Sequence, residues 1–539
     1  MEFQVADIFE AVADNIPNRE ALVIGKTKLT YSELDKRSNQ AAAMLQSIGI
    51  KREDHIGIYA FNCTEWIETM IGAYKIGAIP ININYRYVEE ELAYLIDNAD
   101  IVAMVYQEQF GSLLKNIKER TKNLKHYICI KDDSVNNNNS IKELDYHELI
   151  KDSLTDRVSH SRSADDTYVL YTGGTTGMPK GVMWRQEDVI MTLGGGIDHL
   201  TGEKFSSPEA MSKKCLGDPI IALALAPLMH GAAQWQTFNS FFSGWKLIFN
   251  DQKSFNAEYI WNLISKERVQ NLTITGDAMG RPLADSLSNM LDKGLKVDSL
   301  IILTSTAAVF SSSIKDQFLE LLPNLTIIDG VGSSETGSTG FNIYEKGSKQ
   351  KDSGGGPSFS RPKHSVILHP ETKKPLVSTD TSTIGFLARS GNVPIGYYKD
   401  PVKTASTFIE VDGEKYSIPG DYAKFEQNGQ ITLLGRGSVS INSGGEKIFP
   451  EEVEAALKSH PQVFDCLVVG INDDKWGQKV VAVVKSRTNN QIDINELKDH
   501  CKTYIANYKF PKEFFYVDEI KRAPSGKPDY SWAKKILSA

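Results

Sequence analysis

The sequence predicts an α/β protein: a large N-terminal domain built on largely parallel sheets, followed by a small α+β lobe. Three observations carry this. Apolar, β-branched runs alternate with segments of helical period through the first part of the chain, the layout of a parallel sheet covered on both faces. At 539 residues the chain is longer than one hydrophobic core usually serves, so two or more domains are expected. From Tyr416 the texture changes, and glycine-bearing turns separate short strands.

Taken in order, residues 5–15 place Val5, Ile8, Phe9 and Val12 on one helical face. Thr30-Tyr31-Ser32-Glu33 fits a capping box, and the helix after it carries Leu34, Ala41, Leu45 and Ile48 before stopping at Gly49. A strand over 55–60 precedes a helix with Ile67, Met70, Ile71 and Tyr74 on one side. Residues 78–84, a helix over 89–96 and a strand over 101–106 continue the alternation. Residues 135–140, with four asparagines, read as a surface loop.

The run from Tyr168 to Tyr171 reads as a buried strand, and it gives way at once to Thr172-Gly173-Gly174-Thr175-Thr176-Gly177, then Lys180-Gly181. The glycines let several N–H groups turn toward one anion, the threonines add donors, and Lys180 adds a mobile positive charge. A solvated linker would seldom sit directly after a buried strand and close on Pro-Lys-Gly, so the stretch is a phosphate cradle. The ordinary nucleotide P-loop needs Gly-Lys-Ser/Thr, whereas Pro179 precedes Lys180 here and Gly181 follows it. The dinucleotide spacing Gly-x-Gly-x-x-Gly is also missing.

Further strands are expected over 222–226, 272–275, 300–303 and 325–328. The first runs into Pro227-Leu228-Met229-His230-Gly231, and the last into Asp329-Gly330-Val331-Gly332-Ser333-Ser334-Glu335. Binding residues in such sheets cluster just past strand ends. The phosphate loop, His230, Ser305 to Ala308 and Glu335 all sit at expected strand exits and could line one cleft.

In the last part, Pro419-Gly420-Asp421-Tyr422 is a turn bearing a carboxylate, and 431–434 is a strand. Gly435-Arg436-Gly437-Ser438 reads as a hinge, which puts the domain boundary at 1–435 and 436–539. Pro450-Glu451-Glu452 opens a helix, since proline suits its first turn and carboxylates its positive end. Strands over 466–469 and 480–484 complete the small lobe, and Ser525-Gly526-Lys527-Pro528 sets a lysine on a tight turn.

Composition excludes several classes. A hydrophobic content of 41% and a charged content of 24% are ordinary for a globular enzyme, and a net charge of −8 argues against a nucleic-acid binder. The N-terminus lacks a signal-peptide layout, and no apolar stretch reaches the ~20 residues a bilayer crossing needs. Five scattered cysteines give neither metal-ligand spacing nor an even disulfide count. A reduced, cytoplasmic protein is expected.

With these pieces in line, the sequence resembles the adenylate-forming (AMP-binding) superfamily of acyl-CoA synthetases, adenylation domains and luciferases, from about Val5 to Lys527. The resemblance rests on Thr172 to Gly181, Gly332 to Thr336, Gly420-Asp421, Gly435-Arg436 through Glu454, and Gly526-Lys527, in that order. Tyr171 through Asp188, Gly276-Asp277-Ala278-Met279-Gly280-Arg281-Pro282 and Ser438 to Lys447 look like a narrower branch, the actinobacterial-type long-chain and steroid side-chain acyl-CoA synthetases.

The resemblance implies an AMP-forming ligase that joins a long-chain or steroid-like acid to CoA through an acyl-adenylate, using ATP and Mg²⁺ in lipid metabolism. It implies a C-terminal lobe that is mobile. Thr172, Gly173, Gly174, Thr175, Thr176, Gly177 and Lys180 would hold phosphates, and Gly330, Val331, Gly332 and Ser334 would lie along the nucleotide. Asp421 and Arg436 would take the ribose, and Glu335 the Mg²⁺. Lys527 would stabilise the transition state of adenylation, with Glu335 and Thr175 beside it as catalytic groups. His230, Gly231, Ala233 and Ala307 would line the acyl site, Gly444 and Gly445 the CoA channel, and Ser438 would be the hinge. Departures from the pattern are Val331 where many members carry tyrosine, Asn442 where some carry lysine, and Thr306-Ala307 in place of Gly-Gly. The implied partners are small molecules, with no nucleic acid and no membrane span; a homodimer stays open. An acyl-AMP ligase loading a carrier protein, and an inactive nucleotide- or lipid-binding relative, are the alternatives.

Overall fold

A computed structural model of the chain describes residues 1–131, 143–173, 178–197, 203–348, 358–436, 439–443, 446–473, 477–488, 490–502, 504–523 and 526–537. The expected loop at 135–140 lies outside them. The fold is α/β, and the chain divides into two compact units. One unit holds 1–273, 295–300 and 392–405; the other holds 274–294, 301–391 and 406–539.

The first unit follows the expected alternation. Its N-terminal helix covers Val5–Asn15. The capping box at Thr30 forms as read: Glu33 returns a bond to the Thr30 N–H and opens the helix Tyr31–Ser47. A five-stranded parallel sheet runs in the order Ile79–Asn82 (β1), His55–Tyr59, Ile101–Gln107, His126–Ile130, Leu144–Asp145. Its inner strands are buried because apolar residues occupy both of their faces, among them Ile101, Met104 and Tyr106 at 0% exposure. A three-stranded antiparallel sheet contains Thr167–Thr172 (β2), Lys180–Arg185 (β3) and Gly396–Tyr397. A further set of strands, Ile221–Ala224 and Lys246–Phe249 among them, is mostly parallel, and the helix Gly231–Phe242 (α1) follows the first of these two.

The phosphate loop joins antiparallel partners, with Thr172 opposite Lys180, so the strand after it, which was not among those expected, returns along the strand before it. The segment after Gly181 is apolar through Val182, Met183 and Trp184, and it pairs back on β2.

In the second unit the helix Gly276–Asp292 (α2) precedes a strand at Ile302–Ser305, two residues later than expected. The next strand is longer than expected: Thr326–Ser333 (β4) continues through Gly330, Val331 and Gly332 and turns back into Gly337–Tyr344 (β5). Those three residues, read as loop, are in the ladder. A Cβ on Gly332 would stand 2.2 Å from the Gly337 carbonyl oxygen, so only glycine allows the two strands to come this close at the bulge. A seven-stranded sheet contains Asp421–Phe425 (β6) and Ile431–Arg436 (β7). The latter continues through Gly435 and Arg436, so the expected boundary at 435/436 falls inside a strand. Pro450–Lys458 (α3) starts at the proline as read. Val463–Asp473 (β8) and Gly477–Ser486 (β9) form the long hairpin of the C-terminal sheet, with Val468, Val480 and Val484 in its core. Among the described residues no helix is long and apolar enough to cross a membrane.

Candidate active site

The expected site residues fall into two sets, one in each unit. In the first unit, Thr172 and Lys180 stand opposite each other at the mouth of the phosphate loop. Gly173 is exposed; Gly174, Thr175, Thr176 and Gly177 lie outside the described residues. The Lys180 ammonium pairs with the Asp400 carboxylate and holds that carboxyl below its usual range. Asp400 was not foreseen, because 220 residues separate it from its partner.

His230 is the N-cap residue of α1 and is half-buried. The turn leading to it is held by carboxamides. Asn62 receives the Leu228 N–H at 2.8 Å, and Gln234 donates to the Leu228 carbonyl at 2.9 Å while accepting the Tyr168 hydroxyl at 2.9 Å. Gly231 leaves no spare room, since a Cβ there would lie 2.6 Å from Leu170 and 2.7 Å from Trp235. Ala233 is buried at 1% exposure, whereas its neighbour Ala232 is half-buried.

In the second unit, Glu335 sits in the turn between β4 and β5, half-buried, and its carbonyl accepts the Ser417 hydroxyl at 2.6 Å. Ser333 and Thr336 close that turn through reciprocal 3.2 Å bonds from main-chain N–H to hydroxyl, and Ser334 lies inside it. Val331 packs against the buried cluster that contains Phe359, Ile367 and Phe425. Four residues past Ser417, Asp421 opens β6 directly opposite Arg436 of β7. Among the described residues no cluster of three or more His, Cys, Asp or Glu side chains could hold a metal. A Mg²⁺ held by one carboxylate, phosphate oxygens and water needs no such cluster, and the single carboxylate of Glu335 would be enough for it.

Lys527 lies in a hairpin turn: the Gly526 N–H donates to Ala523 and the Ala523 N–H to the Lys527 carbonyl, at 2.8 and 2.9 Å. Gly526 takes a left-handed φ of +75°, and a Cβ on it would meet the Thr275 carbonyl oxygen at 3.1 Å and the Ala308 methyl at 3.4 Å. The lysine turn is therefore seated on the residues just before α2 and just after the strand Ile302–Ser305. Ala307, beside that seat, holds a left-handed φ of +68°, a conformation that favours glycine over alanine.

A charged chain fixes the turn. Arg522 donates to the Gly526 carbonyl at 3.2 Å and binds Asp465 at 2.8 and 2.7 Å. Asp465 also meets Lys458 at 3.3 Å, and Lys458 lies 3.8 Å from Asp277 on α2. Asp277 in turn accepts the Ser311 N–H at 2.7 Å. Burial alone would push the Asp465 carboxyl up, but Lys458 and Arg522 pull it far below its ordinary value. Asp277 belongs to the Gly276 to Pro282 run, whose use was not legible without its distant partners. Ser438, Gly444 and Gly445 lie outside the described residues.

Two family models match most of the chain: the AMP-binding enzyme model matches residues 9–391 and the AMP-binding enzyme C-terminal domain model matches 452–527. The chain belongs to the AMP-binding enzyme family. Among its relatives is a 3-oxocholest-4-en-26-oate–CoA ligase of Rhodococcus rhodochrous, 44% identical over 538 residues, covering 99% of this chain and 96% of the relative. A medium/long-chain-fatty-acid–CoA and 3-oxocholest-4-en-26-oate–CoA ligase of Mycolicibacterium smegmatis is also 44% identical, covering 99% and 97%. Of solved structures, an anthranilate–CoA ligase in complex with anthranoyl-AMP superposes with a TM-score of 0.82 at 20% identity, covering 99% and 97%. A Mycobacterium tuberculosis fatty acyl-CoA synthetase gives a TM-score of 0.72 at 20% identity, covering 99% and 98%. Adenylate-forming enzymes use ATP, and solved structures of this fold include one with ATP bound and one with an acyl-AMP.

Proposed function

We propose that this AMP-binding enzyme is an AMP-forming acyl-CoA synthetase for a long-chain or steroid-like carboxylic acid. ATP, the acid and CoA give acyl-CoA, AMP and pyrophosphate through an acyl-adenylate. The observation that carries the reading is the seat of the lysine turn: Gly526 rests on Thr275 and Ala308, which holds Lys527 at the exits of two strands. The substrate class is supported by the relatives at 44% identity over nearly the whole chain, whose names pair steroid-side-chain and fatty acids.

A carboxylate is a poor electrophile because a nucleophile must attack an anion and expel oxide. Attack of a carboxylate oxygen on the α-phosphorus, with pyrophosphate leaving, converts it into a mixed anhydride. Negative charge spreads over the phosphate oxygens in that step, so the site must supply fixed donors and positive charge. The loop Thr172–Lys180 and its hydroxyls would hold the outer phosphates, and Lys527 would stabilise the α-phosphate and carboxylate oxygens in the transition state. Asp421 and Arg436 hold the ribose. Glu335 would hold Mg²⁺, which neutralises phosphate charge when bound. In the second step the CoA sulfur attacks the acyl carbon and AMP leaves. Gly444 and Gly445 leave room for the pantetheine arm, and residues 436–539 turn about Ser438 between the steps. The cytoplasm, where ATP and CoA are both present, is a compartment that suits this chemistry.

The test is a panel of acids with ATP and Mg²⁺, scored for pyrophosphate release and for acyl-CoA. Long-chain or steroid-side-chain acids should give both products, with CoA required for turnover. Pyrophosphate without a CoA product would replace this reading by carrier loading, and no acid-dependent pyrophosphate at all would remove it.

A further inference from the structure

Asn82 ends β1 with 4% of its surface exposed, a lone carboxamide between Ile81 and Ile83, both at 0%. Its side chain spends itself on main-chain groups of two distant segments. The Oδ1 accepts the Tyr171 N–H at 2.8 Å, and the Nδ2 donates to the Tyr171 carbonyl at 2.8 Å and to the Met229 carbonyl at 2.6 Å. Tyr171 is the last buried residue before Thr172 and the phosphate loop, and Met229 is the residue before His230. Both amide protons and one oxygen lone pair are thus committed to two backbone stretches that no regular ladder joins.

We propose that Asn82 is a positioning residue for adenylation: it sets the phosphate loop and the acyl-side His230 at a fixed separation, so that ATP and the acid are bound in register for in-line attack. This rests on the reading above of the phosphate loop and His230 as the two ends of one reaction. Three properties point to it. The link is one side chain long and buried, so its length is fixed by covalent geometry. It runs through main-chain atoms, so it moves whole segments and not single rotamers. Its neighbours Asn62 and Gln234 hold the same turn at Leu228, so the Met229 end of the link is anchored on a braced element. A misplacement of about 1 Å between two reactants costs on the order of 10²-fold in rate while leaving each one's binding almost intact. Once the acyl-adenylate exists, acid and nucleotide are one molecule, and the separation no longer has to be imposed.

The experiment uses the full-length protein and its best acid from the panel above. Asn82→Ala removes all three bonds, and Asn82→Asp keeps the size and the acceptor while removing both donors. The expected result is a fall of about 10²-fold in kcat for acid-dependent pyrophosphate release, with KM for ATP and acid within about threefold. CoA transfer from chemically prepared acyl-adenylate should change by less than about threefold. Asn39→Ala serves as the control for simple loosening, because Asn39 is another buried amide of the same unit, its side chain donating to the Thr155 carbonyl at 2.8 Å; it should lower Tm comparably and spare adenylation. Equal losses in both half-reactions, a rise in KM at unchanged kcat, or the same adenylation loss in Asn39→Ala would each overturn the proposal. Should Asn82→Ala fail to fold, Asn82→Asp decides by the same criteria. A wild-type chain that activates no acid would instead overturn the acyl-CoA synthetase reading itself.

Discussion

Asp421 and Arg436 are cross-strand partners at the open ends of β6 and β7. Fourteen residues of chain lie between them, yet the register brings their backbones to neighbouring positions, where an antiparallel pair holds Cα atoms about 5 Å apart. A carboxylate and a guanidinium expected at one ribose therefore start from one place in the sheet.

Asp421→Ala should raise KM for ATP by about 10- to 100-fold, since a hydrogen bond to a charged group is worth about 1.5–3 kcal/mol. KM for the acid should move little. The decisive comparison is 2′-deoxy-ATP: the wild type should lose affinity for it, and the variant should show almost no further loss. An equal penalty in both proteins would take Asp421 away from the ribose.

Lys527→Ala should lower acid-dependent pyrophosphate release by about 10²-fold or more, because a positive charge aimed at developing phosphate charge acts only in that transition state. Thioester formation from prepared acyl-adenylate should be affected far less. Parallel losses would mean that the turn serves the fold and not the chemistry.

Asp400 occupies the ammonium that the phosphate loop would offer to ATP. The Lys180 side chain is 41% exposed, so the pair is worth at most about 1 kcal/mol. Asp400→Asn should therefore lower KM for ATP, by no more than about fivefold. A higher KM in that variant would show that the pair orients Lys180 and does not compete with phosphate for it.

Asp465 is nearly buried, with 15% of its side chain exposed, between Lys458 and Arg522. Its folded-state pKa lies below the unfolded value of about 3.9, so the fold favours the ionised form. Its stabilisation is fully present above that unfolded value and is lost as the pH falls toward the folded one. Asp465→Asn should cost about 3 kcal/mol at pH 7, and the gap to wild type should narrow steadily below pH 4 in urea unfolding. A gap independent of pH would assign the loss to packing. Because Arg522 also holds the Lys527 turn, the same variant should lower adenylation at pH 7.

The helices and strands of the first unit were legible because their periodicity is local: Thr30 with Glu33, or Val5, Ile8 and Val12, need only their near neighbours to choose a helix. The extension of β4 through Gly330 to Gly332 was not legible. Glycine-rich stretches carry no alternation to read, and it is the partner strand β5 that draws them into the ladder. The hairpin at the phosphate loop was missed for a related reason, since antiparallel pairing of β2 with β3 depends on register and not on composition.

By itself the sequence determined the fold class, the order of the motifs and the chemical types at the site, because a glycine-threonine loop, a lone glutamate in a turn and a lysine on a Gly-Pro turn each carry their chemistry locally. The tertiary structure alone decided which groups answer them. Asp400 on Lys180, Ser417 on Glu335, Asn82 between Tyr171 and Met229, and Asp465 behind Arg522 are all pairings across long stretches of chain. Such pairs leave no periodic trace in the sequence, since a polar side chain is satisfied by whatever folding brings within hydrogen-bonding distance.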